Sequence, residues 1–253
     1  MLRYRVKRRA RQNLSAIKAR FGWPIWALAA LFLLWSPGLT GAEGKAQAGD
    51  KAAAQNKVIE IFALGDSLTA GYGLPPGDGF TPQLQAALRA RGHYVQIVNG
   101  GVSGDTSSGG LARLDWVMPD STDAVIVELG ANDALRGISP EITARNLEAI
   151  ADKLRQRGLP VLLAGMLAPP NLGRRYGDAF NMIYPTLAKR FDMLHYPFFL
   201  DGVAGQKTLN LADGIHPNKQ GIEVIVSRIL PYVEALIDQT TGNAMANRQS
   251  RAQ

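Results

Sequence analysis

Short apolar runs alternate with longer stretches of helical periodicity through most of this chain. Five runs, Val58–Leu64, Val95–Asn99, Ala124–Leu129, Pro160–Met166 and the weaker Met193–His195, are rich in Val, Ile and Leu and lack strict in–out alternation. That is the pattern of strands buried on both faces. Between them, Thr81–Ala90, Ser107–Trp116, Pro140–Gln156 and Tyr176–Arg190 read as helices. A last helix follows Pro217, with Ile222, Ile225, Val226, Ile229 and Leu230 on one apolar face and Pro231 expected to kink or split it. Strand–helix alternation of this kind predicts an α/β fold, a three-layer α/β/α sandwich around a parallel sheet. In such sheets ligands sit beyond the carboxyl ends of the strands, so the loops there are where chemistry is expected.

The pattern changes at both ends. Residues 1–42 carry a basic stretch and then the apolar run Trp23–Trp35, "WPIWALAALFLLW", which is short for a membrane span. Small residues follow at Thr40–Ala42 and Ala46–Ala48. This segment reads as a secretory signal peptide, with an uncleaved N-terminal anchor as the alternative. Residues 43–56 are an aperiodic linker, residues 57–237 the folded domain, and residues 238–253 a polar, frayed tail.

Charge follows the same division. Eight of the 28 Lys and Arg residues lie within the first 21 positions, leaving 20 against 21 Asp and Glu. The net charge of +7 therefore belongs to the leader and not to a nucleic-acid-binding face. The absence of cysteine excludes thiolate catalysis and disulfides.

Four strand-end loops carry candidate chemistry. "FALGDSLTAGYG" places Ser67 where the first strand turns into a helix, suited either to presenting its hydroxyl or to capping. In "VNGGVSGDTSSGG", Gly104 can bring a backbone N–H close to a ligand, while Asp105, Thr106 and Ser107 read as helix caps. "VELGANDALRG" places the amide of Asn132 directly after a strand. "LADGIHPNKQG" holds Asp213 three residues before His216, close enough for its carboxylate to accept from Nδ1–H and leave Nε2 for a serine proton. His216 precedes Pro217, which reads as the first turn of the last helix. His93 reads as a surface residue, His195 as structural, and Asp66 as a brace for the Ser67 turn. Glu128, at a strand end, is within reach of the site loops without an assigned role.

Ser67 in "GDSL", Gly104 in "SGDTS", Asn132 in "GAND" and His216 in "DGIHPN" occur in one order over about Val58–Ile237. This combination resembles the SGNH-hydrolase superfamily of GDSL esterases and lipases, in particular its bacterial arylesterase, thioesterase and lysophospholipase branch. The resemblance implies a flavodoxin-like sheet of about five strands. It implies a serine esterase acting through an acyl-enzyme, with Ser67 as nucleophile, His216 as base and acid, and Asp213 as the orienting carboxylate. The oxyanion hole would be the N–H groups of Ser67 and Gly104 with the Asn132 amide. No metal or organic cofactor is implied, and the partner is a small-molecule acyl ester. Membrane contact is expected only through an uncleaved N-terminal segment. The loop Asp133–Pro140 is expected to line an acyl groove through Leu135 and Ile138, with Met166–Gly173 adding apolar surface. An O-acetylesterase of carbohydrate or peptidoglycan, and a non-catalytic scaffold, are the competing readings.

Overall fold

The structure, a computed structural model, describes residues 57–251, with side chains through residue 242. The leader and the whole of the expected linker lie outside the described residues. Five strands form in chain order: β1 (Ile59–Gly65), β2 (Val95–Gly101), β3 (Ala124–Glu128), β4 (Val161–Ala164) and β5 (Leu194–Tyr196). All pairings are parallel and the order across the sheet is β2-β1-β3-β4-β5. The expected flavodoxin-like sheet is what forms. β3 and β4 are buried along their whole length, which is why their sequences show no alternation.

The helices are α1 (Ser67–Ala70), α2 (Phe80–Ala90), α3 (Ser107–Val117), α4 (Ala131–Leu135), α5 (Pro140–Gln156), α6 (Arg174–Asn181), α7 (Ile183–Phe191) and α8 (Lys219–Arg251). α2 and α8 pack together on one side of the sheet, while α3, α5 and α7 cover the other. Helical spacing explains the packing of α5: Thr143, Leu147, Ile150, Ala151 and Leu154 recur every three or four residues and are all buried. Truncating Leu147 to Ala in that face would cost about 2–5 kcal/mol.

Four helix readings depart from expectation. The helix expected over Tyr176–Arg190 is two, broken at Met182. Pro185 has no N–H to donate to the Asn181 carbonyl and its ring crowds that group, so a new helix starts instead. Pro231, by contrast, lies inside α8 without ending it. The carbonyl it leaves unpaired belongs to Ser227, and both residues are on the exposed side, open to solvent. Through the polar tail α8 continues to Arg251, since extending a helix costs far less than starting one. Pro217 precedes α8 rather than opening it. It bridges to Asn210, and Asn218 accepts the Gly221 N–H at the helix start.

Candidate active site

At the end of β1 the chain must turn into α1 within one residue. Gly65 makes this possible, because a Cβ there would lie 2.0 Å from Thr69 Oγ1 and 2.8 Å from Glu128 Oε2. Asp66 caps α1, its Oδ1 accepting the Leu68 N–H at 3.0 Å. Ser67 then opens the helix with a nearly buried side chain, 9 % exposed, at the floor of a cleft. The cleft lies where the β1 and β3 loops part, the switch point of this strand order.

His216 arrives from the other end of the chain. Leu211 N–H donates to the His216 carbonyl at 2.7 Å, and Asn218 N–H to the Leu209 carbonyl at 2.9 Å, closing a narrow loop that carries Asp213 and His216 at its tip. Asp213 Oδ1 accepts the backbone N–H groups of Ile215 and His216, each at 3.0 Å. Its Oδ2 lies 2.7 Å from His216 Nδ1. The two backbone donors, followed by the ring, hold the Asp213 carboxyl down at about 2. An ionised carboxylate only accepts, so Nδ1 carries the proton and Nε2 has the free lone pair. Nε2 is 2.9 Å from Ser67 Oγ. Tyr72, five residues beyond Ser67, packs its ring 4.5 Å from that of His216 at a 36° tilt and limits the ring's freedom.

Asn132 sits in α4 and donates from Nδ2 to Asp66 Oδ2 at 3.0 Å. Gly104 has a φ of 85°, open to glycine, and its carbonyl accepts from Arg136 Nη2 at 2.6 Å. Of the three expected caps, Thr106 caps α3 by accepting the Gly109 N–H at 3.3 Å. Asp105 pairs instead with buried Arg113 at 2.6 Å, and that guanidinium also donates to the Gly65 carbonyl at 2.9 Å. Ser107 bonds to Asp133.

Behind the turn lies an acidic pair. Burial raises Asp66 to about 6, against the opposing pull of the Leu68 N–H and the Asn132 amide. Burial, and then the charge of Asp66, push Glu128 well above the carboxylate range, although Thr69 Oγ donates to it at 2.8 Å. Glu128 Oε1 has no partner among the described residues. Glu128 thus supports the floor of the site from within.

The cleft beside Ser67 has a volume of about 550 Å³ and is lined mostly by apolar side chains, among them Leu135, Met166, Leu167, Phe198 and Ile215. Leu135 is 56 % exposed at its edge. Ile138 is not among the lining residues; it is half-buried, and its carbonyl is held by Tyr176 Oη at 2.7 Å. His93 faces Glu234 and His195 is partly buried on β5, both away from Ser67. Among the described residues no group of three or more His, Cys, Asp or Glu side chains is placed to hold a metal ion.

Spacing within the motifs brought Ser67, Asp213, His216 and Asn132 into view. Tyr72, Arg113 and Asp133 carried no such signal, because their partners are distant in sequence.

Residues 63–224 match the model of the GDSL-like lipase/acylhydrolase family. The chain is 39 % identical over 178 residues to Esterase TesA of Pseudomonas aeruginosa, covering 70 % of this chain and 89 % of that one. It is 36 % identical over 179 residues to thioesterase 1/protease 1/lysophospholipase L1 of Escherichia coli strain K12, covering 70 % and 85 %. The crystal structure of AlinE4, an SGNH-hydrolase family esterase, superposes with a TM-score of 0.61 at 44 % identity, covering 71 % of this chain and 97 % of that one.

Proposed function

The chain belongs to the GDSL-like lipase/acylhydrolase family and is a carboxylic ester hydrolase; within that activity we propose that it prefers short-to-medium acyl groups on varied leaving groups. In this reading Ser67 Oγ attacks the ester carbonyl while His216 Nε2 takes the hydroxyl proton. Negative charge gathers on the former carbonyl oxygen, facing the N–H groups of Ser67 and Gly104 and the second N–H of Asn132. Fixed dipoles there lower the barrier because they need no reorganisation as the charge forms. The C–O bond breaks, the leaving alcohol departs with the proton from His216, and the acyl group remains on Ser67. Water, deprotonated by His216, then attacks the acyl-enzyme and releases the acid.

The observation that carries the acyl preference is the apolar cleft of about 550 Å³ opening directly on Ser67. Each methylene it takes from water contributes about 0.8 kcal/mol until the cleft is full. An acetyl group would leave most of it unoccupied, which weighs against an O-acetylesterase. The test is a panel of aryl esters of rising acyl length, acyl thioesters, lysophospholipids and acetylated sugars, compared by kcat/KM. A rise from acetate to a medium chain supports the proposal; a maximum on acetylated sugars would replace it with the acetylesterase.

We also infer export from the cytoplasm, supported by the basic leader and the apolar run Trp23–Trp35 ahead of small residues.

A further inference from the structure

The two oxyanion donors of the proposed mechanism that lie outside the serine turn sit on loops that the sheet does not join. Gly104 follows β2 and Asn132 follows β3, yet β2 and β3 each pair with β1 and not with one another. Their separation must hold to a fraction of an ångström if both are to reach one oxygen. Sheet hydrogen bonds alone leave that gap dependent on two loops.

Asp133 closes it. The side chain next to Asn132 on α4 is rotated about 100° from it, so it enters the interior while Asn132 faces Asp66. Asp133 is wholly buried. Its Oδ2 accepts the Ser107 N–H at 2.7 Å, and its Oδ1 accepts the Ser107 hydroxyl and, at 3.0 Å, that of Thr143. Ser107 lies three residues after Gly104 and opens α3. Asn146 Nδ2 donates to Ser107 Oγ at 3.0 Å, fixing the hydroxyl's direction. Arg136, three residues further along the Asn132 loop, makes the second tie by donating to the Gly104 carbonyl at 2.6 Å.

We propose that Asp133 is a positioning residue, which sets the distance between the Gly104 and Asn132 donors by tying the loop after β3 to the loop after β2 through Ser107. It touches no substrate and acts through the two donors. A carboxylate is required because three donors converge on it, one of them a backbone N–H that cannot be reversed. An amide in its place, its oxygen kept on the Ser107 N–H, would turn an NH₂ group toward the Ser107 and Thr143 hydroxyls, which then lose their acceptor and have to rotate.

This inference rests on the serine-esterase mechanism above. The experiment is a double-mutant cycle on the full chain with p-nitrophenyl butyrate, using wild type, Asp133→Asn, Asn132→Ala and the double variant. Asp133→Asn is expected to lower kcat by roughly 10-fold or more with KM nearly unchanged. In the Asn132→Ala background the same substitution is expected to cost no more than about 3-fold, since one of the donors it positions is gone. Full multiplication of the two losses, or a folded Asp133→Asn variant with wild-type kcat, would overturn the proposal. If Asp133→Asn does not fold, Ser107→Ala keeps the carboxylate and removes one tie. It should reproduce the kcat loss in weaker form and the same non-additivity, and wild-type turnover in Ser107→Ala would equally overturn the proposal. Full activity in Ser67→Ala would instead sink the mechanism itself, so the two failures are distinguishable.

Discussion

Asp66 accepts the Asn132 amide at 3.0 Å with one carboxylate oxygen and the Leu68 N–H at 3.0 Å with the other. One side chain therefore orients both the serine turn and the amide proposed as an oxyanion donor. An amide has two N–H groups, so fixing one against Asp66 aims the second.

Asn132→Ala is expected to lower kcat by roughly 100-fold or more, with KM changed much less. Asp66→Asn is expected to approach that loss. Asn at position 66 can still accept the Leu68 N–H, but it presents an NH₂ group to Asn132 and forces one amide to turn over. Steady-state kinetics on an aryl ester decide it. An Asp66→Asn variant with near wild-type kcat would reduce Asp66 to a helix cap.

The proposed nucleophile gives a sharper expectation. Ser67→Ala should lower turnover by about 10⁴-fold or more while leaving the thermal midpoint close to wild type. A fluorophosphonate probe should label wild type once, at Ser67, and fail to label the variant. Asp213→Asn should also be slow, because an amide no longer requires Nδ1 to carry the proton and the Nε2 lone pair toward Ser67 is lost.

Much of this fold can be read from the order of residues because its signals are local. Val125–Val127 and Leu162–Leu163 are apolar without alternation since both faces are covered, and that shows in the sequence. The break at Met182 was available in Pro185 but was masked by the continuous apolar face around it. The contacts that shape the site were not legible. Asp66–Asn132 and Ser107–Asp133 are 66 and 26 residues apart and depend on the strand order β2-β1-β3, which periodicity does not specify. Ile138 was expected to line the groove with Leu135 because the resemblance implied that their loop does so. Of the two, only Leu135 borders the cleft, and Ile138, beyond the turn at Gly137 with its φ of 64°, is held by Tyr176.

Glu128 yields a pH-dependent expectation. Its ordinary value is 4.5 and burial raises it well above that in the fold. A group raised in the folded state stabilises fully below its unfolded value and loses that contribution as pH rises toward its folded value. Stability should therefore fall above about pH 4.5 by up to ~1.4 kcal/mol per unit from this group. Asp66, raised from 3.8 to about 6, acts in the same direction over its narrower window. Glu128→Gln removes the larger contribution. In thermal melts the midpoint of the variant should rise relative to that of wild type between pH 5 and pH 8. Parallel melting curves across that range would refute the buried neutral acid.

Export has its own test. Cell fractionation is expected to recover a mature form beginning near Glu43 or Gly49 outside the cytoplasm. Full-length protein with Met1 intact in the membrane fraction would favour the anchor, with Trp23–Trp35 as the retained segment.

The acyl preference turns on Leu135, whose exposed side chain borders the cleft. It sits at the end of α4, one residue before Arg136 and two before Gly137, so the apolar wall ends in a turn with a φ of 64° at Gly137. An acyl chain extending from the ester carbonyl on Ser67 Oγ has Leu135, Leu167 and Phe198 among the apolar walls of the cleft. Leu135→Ala should therefore weaken medium chains more than acetate, by about 1–2 kcal/mol or roughly 5- to 30-fold in kcat/KM. The measurement is kcat/KM against acyl length for p-nitrophenyl esters in both proteins. A flat ratio across chain length would place the acyl group elsewhere, against Phe198 and Leu200 without passing Leu135. A sharp acetate optimum in wild type, unmoved by the substitution, would abandon the apolar cleft as the acyl site.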